Sequence, residues 1–348
     1  MIDNAQLENI CSNFLGPCQI QHFEVLGNGN INDTYKVDIQ IDHTSHSYVI
    51  QRINHQIFKD PAVLMRNISL VTSYLRQSDY PYLTAELFSS VNGNLLVVDE
   101  EQQYWRCFSF IPDSYAPEGK TNSTLARRAA CAYGAFSNAL KDFPISDLSE
   151  TIPDFHNTDL RWEYFVNVLE QDSVNRGKAA EPEINAMYAA FPVFEQISRL
   201  KKEGELPVRV THNDTKAGNI LFHKNTHEAI AVIDLDTVMP GTILSDFGDM
   251  VRTFVPDKYE DETGDVNLKL DVLQAVKDGF VAKTNDFLTK TEKEQLMLGA
   301  AWIAGEQALR FLTDWLAGDV YYKIQHPEHN LIRAKNQLNL FSKLRELI

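Results

Sequence analysis

Two short apolar runs near the middle of the chain, Ile220-Leu221-Phe222 and Ala229-Ile230-Ala231-Val232-Ile233, are joined by the polar stretch His223-Lys224-Asn225-Thr226-His227-Glu228. Runs of that length around a polar connection predict a β-hairpin. A hairpin returns its chain to where it began. Asn219, entering the first strand, and Asp234, leaving the second, are therefore expected as near neighbours at the open end, at roughly the 5 Å of paired positions. The approach to the hairpin reads Thr211-His212-Asn213-Asp214-Thr215-Lys216-Ala217-Gly218-Asn219, so a further carboxylate precedes the amide by five residues. Asp214, Asn219 and Asp234 then present oxygen atoms to one point. Such hard ligands suit Mg²⁺, which keeps coordination sites for water and phosphates.

The rest of the chain supplies two settings for this island. Up to about residue 111 the pattern is strand-like: His22 to Leu26, Thr34 to Ile41 and Tyr48 to Ile53 are separated by Gly27-Asn28-Gly29-Asn30 and by Asp42-His43-Thr44-Ser45, both good turn material. Pro61 can open a helix to about Gln77, with Leu64, Ile68, Val71 and Leu75 at helical spacing, and a second hairpin joins Leu95–Val98 to Gln103–Ile111 around Asp99-Glu100-Glu101. The expected order is β-β-β-α-β-β. From Pro112 onward helices dominate, over Leu125–Leu140, Arg161–Leu169 and Glu183–Leu200. Thr291 with Glu294 reads as a capping box opening a long helix through Trp315, and a last helix follows Pro327 to near Leu347. The fold class expected is α+β and bilobal: a small antiparallel-sheet lobe over residues 1–111, a larger helical lobe over 112–348, and a cleft between them.

With 348 residues, 44% of them hydrophobic, the chain has ample length for such a core. Its formal net charge of −16 argues against nucleic acid as a partner and favours a neutral or cationic small molecule. Four cysteines without C-x-x-C spacing fit a reducing compartment. The N-terminus lacks a basic start followed by an apolar stretch, and no window approaches a membrane span, so a cytoplasmic, unanchored protein is expected.

The Asp214-to-Asn219 interval is that of the kinase catalytic loop H-R-D-x-x-x-x-N, here with His212 in first place and Asn213 replacing the arginine. In that reading Asp214 accepts the proton of an attacking hydroxyl, while Asn219 and Asp234 hold the metal. Asp236 shares a face with Asp234 if the strand continues, and so also approaches the metal. Gly27 and Gly29, with Asn28 between them, let backbone amides come close to nucleotide phosphates, although Asn32 takes the third glycine position of G-x-G-x-x-G. The third strand, Tyr48-Val49-Ile50-Gln51-Arg52-Ile53, lacks the lysine that usually serves the phosphates. Either Arg52 supplies the charge or Gln51 supplies neutral hydrogen bonds. Adenine would lie near Phe108-Ser109-Phe110-Ile111.

The chain resembles the aminoglycoside phosphotransferase and choline kinase superfamily, in which H-x-D-x-x-x-x-N followed by Ile-Asp marks the catalytic loop and metal strand. It looks most like the N-acetylhexosamine 1-kinases, through Gly27 to Tyr35, Gln51-Arg52-Ile53-Asn54, His212 to Lys216, Val232 to Gly241 and Arg310-Phe311-Leu312-Thr313-Asp314. That likeness implies ATP as co-substrate, Mg²⁺ as cofactor, an amino sugar as acceptor, and Asn30, Asn32 and Arg310 as sugar-contacting residues. Phe155-His156-Asn157-Thr158 also recurs in it, without a role that its chemistry assigns. Asp246-Phe247-Gly248 invites a match to the D-F-G of protein kinases. It lies beyond the Pro240-Gly241 turn, out of the hairpin's reach, so Asp234 keeps the metal role; the resemblance implies that this downstream acidic segment supports the catalytic loop, and Asp246 and Asp249, like His212, are read as structural. Two rival readings are a kinase for choline, homoserine or an aminoglycoside, and a nucleotide-binding scaffold without turnover, the latter prompted by the missing lysine.

Overall fold

A computed structural model describes residues 2–27, 31–41 and 44–348. The first element, α1 (Asn4–Leu15), is capped by Asp3, whose Oδ1 accepts from Gln6 N at 2.7 Å. It buries Leu7, Ile10, Cys11 and Phe14, the i, i+3, i+4, i+7 stripe of an amphipathic helix. The sequence reading had no helix here. The stripe packs on one face of an antiparallel sheet built from β1 (Gln19–Val25), β2 (Asp33–Ile41), β3 (Thr44–Ile53), β6 (Tyr104–Ser109) and β4 (Leu87–Phe88) in that order, with β5 (Val97–Val98) also paired to β6.

Register fixes what each face carries. β2 pairs with β3 from Asp33↔Arg52 to Ile41↔Thr44, and β3 pairs with β6 from Tyr48↔Ser109 to Ile53↔Tyr104. Successive strand residues point to opposite faces. Ile50, Trp105 and Cys107 therefore meet α1 together with Tyr35, Val37 and Ile39. Gln51, Ile53, Arg106 and Phe108 lie on the other face, toward the remainder of the molecule.

Helix α2 (Pro61–Gln77) begins with Pro61 after Asp60, whose Oδ1 accepts from Ala62 N and Val63 N, both at 3.0 Å. Its stripe of Leu64, Met65, Ile68, Val71 and Leu75 joins the core of the helical region. That core is built by α3 (Ser123–Ala139), α4 (Thr158–Gln171), α5 (Glu181–Lys202), α6 (Ile243–Phe254), α7 (Leu270–Thr284), α9 (Leu296–Leu316) and α10 (His329–Arg345). A short strand β7 (Ser114–Tyr115) pairs with β9 (Ile220–His223), which pairs in turn with β10 (Ala229–Val232). β8 (Arg209–Thr211) pairs with β11 (Met239–Gly241).

Two helical assignments change, and α7, like α1, is a helix that the sequence reading did not have. The capping box uses Thr289 and Glu292, not Thr291 and Glu294, and it opens only the short α8 (Lys290–Glu294), after which Gln295 breaks the helix before α9. Glu292 is drawn there because its buried carboxylate also holds Arg209, at 2.6 and 2.8 Å. Helix α6 was not read as a helix because ten of its twelve residues are buried, so no polar face marks its period. It lies against α9 where Gly248 meets Gly299: a Cβ on Gly248 would sit 2.5 Å from the Gly299 carbonyl oxygen. The glycine of Asp246-Phe247-Gly248 is thus a helix-crossing residue. Among the described residues no helix is long and apolar enough to cross a membrane.

Candidate active site

The hairpin forms as its pattern requires. Val232 pairs with Ile220, and Ile233 N donates to Asn219 O at 2.9 Å, so Asn219 and Asp234 stand together at the open end. Asn219 directs its side-chain nitrogen to Asp214, at 2.9 Å from the carbonyl oxygen and 2.8 Å from Oδ2. Its side-chain oxygen is consequently turned away from Asp214. Asp234 takes a left-handed conformation, φ 61° and ψ 61°, which ends the strand and opens its side chain onto the cleft.

The loop before the hairpin is held from beneath. Asp246, at the first turn of α6, accepts from His212 N at 2.9 Å and Asn213 N at 2.7 Å, and its carbonyl oxygen accepts from Thr215 Oγ1 at 2.7 Å. Burial first, and then the nearby Asp249, raises the Asp246 carboxyl to about 6 against the pull of these bonds. Asn213 makes the kink with φ 63° and is tied to Thr237 O at 2.9 Å and to Ser245 Oγ at 3.1 Å. His212 is fully buried between Tyr133 and Phe136. Nε2 meets the Ile233 carbonyl at 3.0 Å and Nδ1 meets Asp214 N at 3.3 Å, so one ring nitrogen donates and the other accepts. His212 and Asp246 support the loop without reaching the cleft. Asp249 has no such contact with the loop: it pairs with Arg252 of the same helix, at 2.8 and 2.9 Å, Arg252 reaches on to Glu260, and among the described residues the buried Oδ2 has no hydrogen-bond partner.

Electrostatics separate the two cleft carboxylates. Burial works against the charge of Asp214, but Lys216 Nζ at 2.7 Å and the Asn219 bond hold its carboxyl below the ordinary range. Asp234 is pushed up to about 7 by the protein crowded round it, then by Asp236 and Asp214. Water in the cleft moderates that rise on its open side. A divalent cation would reverse it, because it supplies the charge this carboxylate lacks. Asp234 and the outward-facing Asn219 oxygen fit such an ion, while among the described residues no three His, Cys, Asp or Glu side chains form a metal cage. Two protein oxygens with room for water and phosphate are what Mg²⁺ takes in nucleotide sites.

Three expectations need correction. Asp236 is not placed as a further metal ligand. The strand ends before it, and its buried carboxylate is bound by Arg106 Nη1 at 2.6 Å, Arg106 Nη2 at 2.9 Å and Asn32 Nδ2 at 2.6 Å. Asn32 is accordingly committed to Asp236 and to Asn54 N, at 2.9 Å, and is not turned toward an acceptor sugar. Arg52 is on the α1 face of the sheet, paired with Asp33 at 2.8 Å and 6.0 Å from the Trp105 ring. Strand alternation takes it away from the cleft. Gln51 points inward, its Nε2 donating to Thr34 Oγ1 at 2.9 Å while its Oε1 accepts from Arg106 Nε at 2.9 Å.

Phe108 shares this inward face, 5.2 Å from the Arg106 guanidinium, and Phe110 lies just past β6, 5.2 Å from Lys36 Nζ. Gly27 turns the chain after β1 with φ 66°. The expectations for Asn28, Gly29 and Asn30 lie outside the described residues. The sequence reading missed Arg106, whose only signal was a lone charge inside the apolar run Trp105-Arg106-Cys107-Phe108. Lys216 was quoted only as part of a string, although it sits two residues from Asp214 in an extended loop.

A second polar group borders the site. Thr151 Oγ1 donates to Asp236 O at 2.7 Å, and Asn67 Nδ2 ties Ser149 O to Val238 O, so the segment after Ser149 runs along the metal strand. It delivers Phe155 and His156 to α9. There the buried Glu306 accepts from Thr158 Oγ1 and meets His156 Nδ1 at 2.6 Å. Burial opposes its charge, yet His156, Arg161 and the Thr158 bond hold the carboxyl at about 2. Arg310, one turn on, lies 5.4 Å from the Phe155 ring and 5.6 Å from Tyr322. Asp314 arranges the facing loop by accepting from Val320, Tyr321 and Tyr322 N at 2.7–2.9 Å. The motifs around residues 155 and 310 thus converge in space.

Comparison with known proteins agrees with this geometry. Over nearly its whole length the chain is similar in structure to spectinomycin phosphotransferase in complex with ADP and spectinomycin (TM-score 0.64, 14% identity, 99% of each chain). It is similar to a microcompartment-associated aminopropanol kinase (TM-score 0.66, 14% identity, 99% of this chain and 98% of that one). A choline kinase from Cryptosporidium parvum also matches (TM-score 0.53, 15% identity, 99% and 97%). At such identities these likenesses establish the fold, that of the bilobal kinases. The family model described as "Phosphotransferase enzyme family" matches residues 22–269, from the first sheet strand through the catalytic loop and α6 to the brink of α7. On the strength of that match, the chain belongs to the phosphotransferase enzyme family.

Proposed function

We propose that this phosphotransferase moves the γ-phosphoryl of ATP to the anomeric 1-hydroxyl of an N-acetylhexosamine, with residues 1–111 carrying the nucleotide and 112–348 the acceptor. The supporting observation is the charge around Arg310. Burial and the neighbouring Arg310 both press on Arg161, 3.9 Å from Glu306, and Lys201, 4.2 Å from Trp302, is also within reach of that carboxylate, so three cations gather round Glu306. That carboxylate is already committed to His156 and Thr158. A cationic choline or aminoglycoside meets repulsion there, whereas a neutral sugar meets guanidinium donors and the aromatic faces of Phe155 and Tyr322.

The acceptor hydroxyl is placed against Asp214, which is ionised and able to take its proton as the oxygen attacks. Lys216, half-exposed beside Asp214, faces the charge that builds on the transferred phosphoryl. Asn219 keeps Asp214 in place with its amide nitrogen. Asn219 and Asp234 would hold Mg²⁺, which when bound neutralises phosphate charge. Arg310→Met is expected to raise KM for N-acetylhexosamine about 10- to 100-fold, the worth of a charged hydrogen bond, with KM for ATP little changed. Steady-state kinetics with each substrate varied makes the check, and an unaltered sugar KM would remove Arg310 from the acceptor site.

A further inference from the structure

The missing third-strand lysine leaves open what fixed positive charge serves the nucleotide end of the cleft. Arg106 is almost fully buried on β6, opposite Gln51 in the β3–β6 register. Gln51 fixes its Nε, and both terminal nitrogens are spent on Asp236, across 130 residues of sequence. The pair therefore joins the sheet to the segment that carries Asp234, two residues earlier. Asn32, at the end of the loop between β1 and β2, closes on the same carboxylate. One knot thus ties together the first loop, the third strand, β6 and the turn of the metal-facing carboxylate.

We propose that Arg106 is the positioning residue of a site built without the third-strand lysine: braced by Gln51 and locked on Asp236, it keeps that carboxylate out of the metal site and sets the Asp234 turn for joint binding of metal and nucleotide. The inference rests on the kinase reading above. Its physical basis is that an arginine fork holds both oxygens of one carboxylate in a fixed plane, which a single ammonium cannot do. Without the fork, Asp236 is held by the Asn32 amide alone, its charge is uncompensated beside Asp234, and it can swing toward a bound cation. Asp234 then loses its fixed turn, and with Asn219 it faces a rival carboxylate for the metal.

The test is calorimetric binding of ADP to the full chain, with Mg²⁺ and with EDTA, for the wild type, Arg106→Gln, Arg106→Lys and the double variant Gln51→Lys/Arg106→Gln, which returns the cation to the third strand. In the wild type Mg²⁺ is expected to tighten ADP binding. In Arg106→Gln that gain should shrink at least about tenfold while the metal-free affinity moves less than about threefold. Arg106→Lys should fall between, and the double variant should recover most of the gain. An undiminished Mg²⁺ gain in Arg106→Gln, or equal loss with and without metal, overturns the proposal. Should Arg106→Gln fail to fold, the double variant decides, since a folded double variant without the Mg²⁺ gain also overturns it. If the wild type itself shows no Mg²⁺-dependent ADP binding, the kinase reading fails first, and this inference with it.

Discussion

Asp214→Asn is expected to lower kcat by about 10³-fold, the worth of a positioned general base and equivalent to about 4 kcal/mol of barrier. Asparagine keeps the shape of the side chain and its place beside Asn219 and Lys216, but it cannot take up the hydroxyl proton. Nucleotide affinity should stay within a few-fold of wild type, because Asp214 faces the acceptor and its bonds run to Lys216 and Asn219. Single-turnover measurements at saturating ATP and acceptor, alongside ADP binding, make the comparison. A variant with more than a tenth of wild-type turnover would remove Asp214 from proton transfer.

The second large effect concerns Asp234. Asp234→Asn should abolish the Mg²⁺-dependent part of nucleotide binding, since the amide loses the charge that attracts the cation. In the wild type, apparent Mg²⁺ affinity should rise with pH through the raised pKa of this carboxyl and then level off, because the surrounding protein, then Asp236 and Asp214, push it above the ordinary carboxylate range and metal must displace its proton below that point. Stability should run the opposite way. The folded state keeps a proton on Asp234 between the ordinary carboxylate range and its raised pKa, where the unfolded chain does not, so this group's contribution falls as pH rises through that window. Asp234→Asn removes that loss and should raise the metal-free melting temperature at pH 8 with little change at pH 4. A variant that keeps a wild-type Mg²⁺ titration, or that melts lower at pH 8, would contradict the assignment.

How far the site could be read from sequence follows from which interactions are local. The hairpin, the Asp214-to-Asn219 interval and Asp234 all lie between positions 214 and 234, so spacing alone brought them together, whereas the left-handed turn at Asp234 was seen only in the structure. The fork of Arg106 on Asp236 depends on strand register and on how the sheet meets the helical region, neither of which a linear pattern encodes. For the same reason the choice between Gln51 and Arg52 could not be made until β3 was seen beside β6. Helix α6 was hidden because its polar residues are buried with the apolar ones, Ser245 and Asp246 turning inward to brace the catalytic loop and Asp249 pairing with Arg252, which erases the amphipathic signal. The motif at Phe155 gained meaning only through Thr151 and Glu306, each bonded across 85 residues or more.

The most direct measurement is ³¹P NMR of the full chain mixed with ATP, Mg²⁺ and N-acetylglucosamine or N-acetylgalactosamine. The account predicts ADP and one new phosphomonoester in equal amounts, its phosphorus coupled to the anomeric proton, with the product lost in Asp214→Asn. Absence of any sugar phosphate while an amino alcohol is phosphorylated, or transfer to a sugar hydroxyl other than the anomeric one, would contradict it.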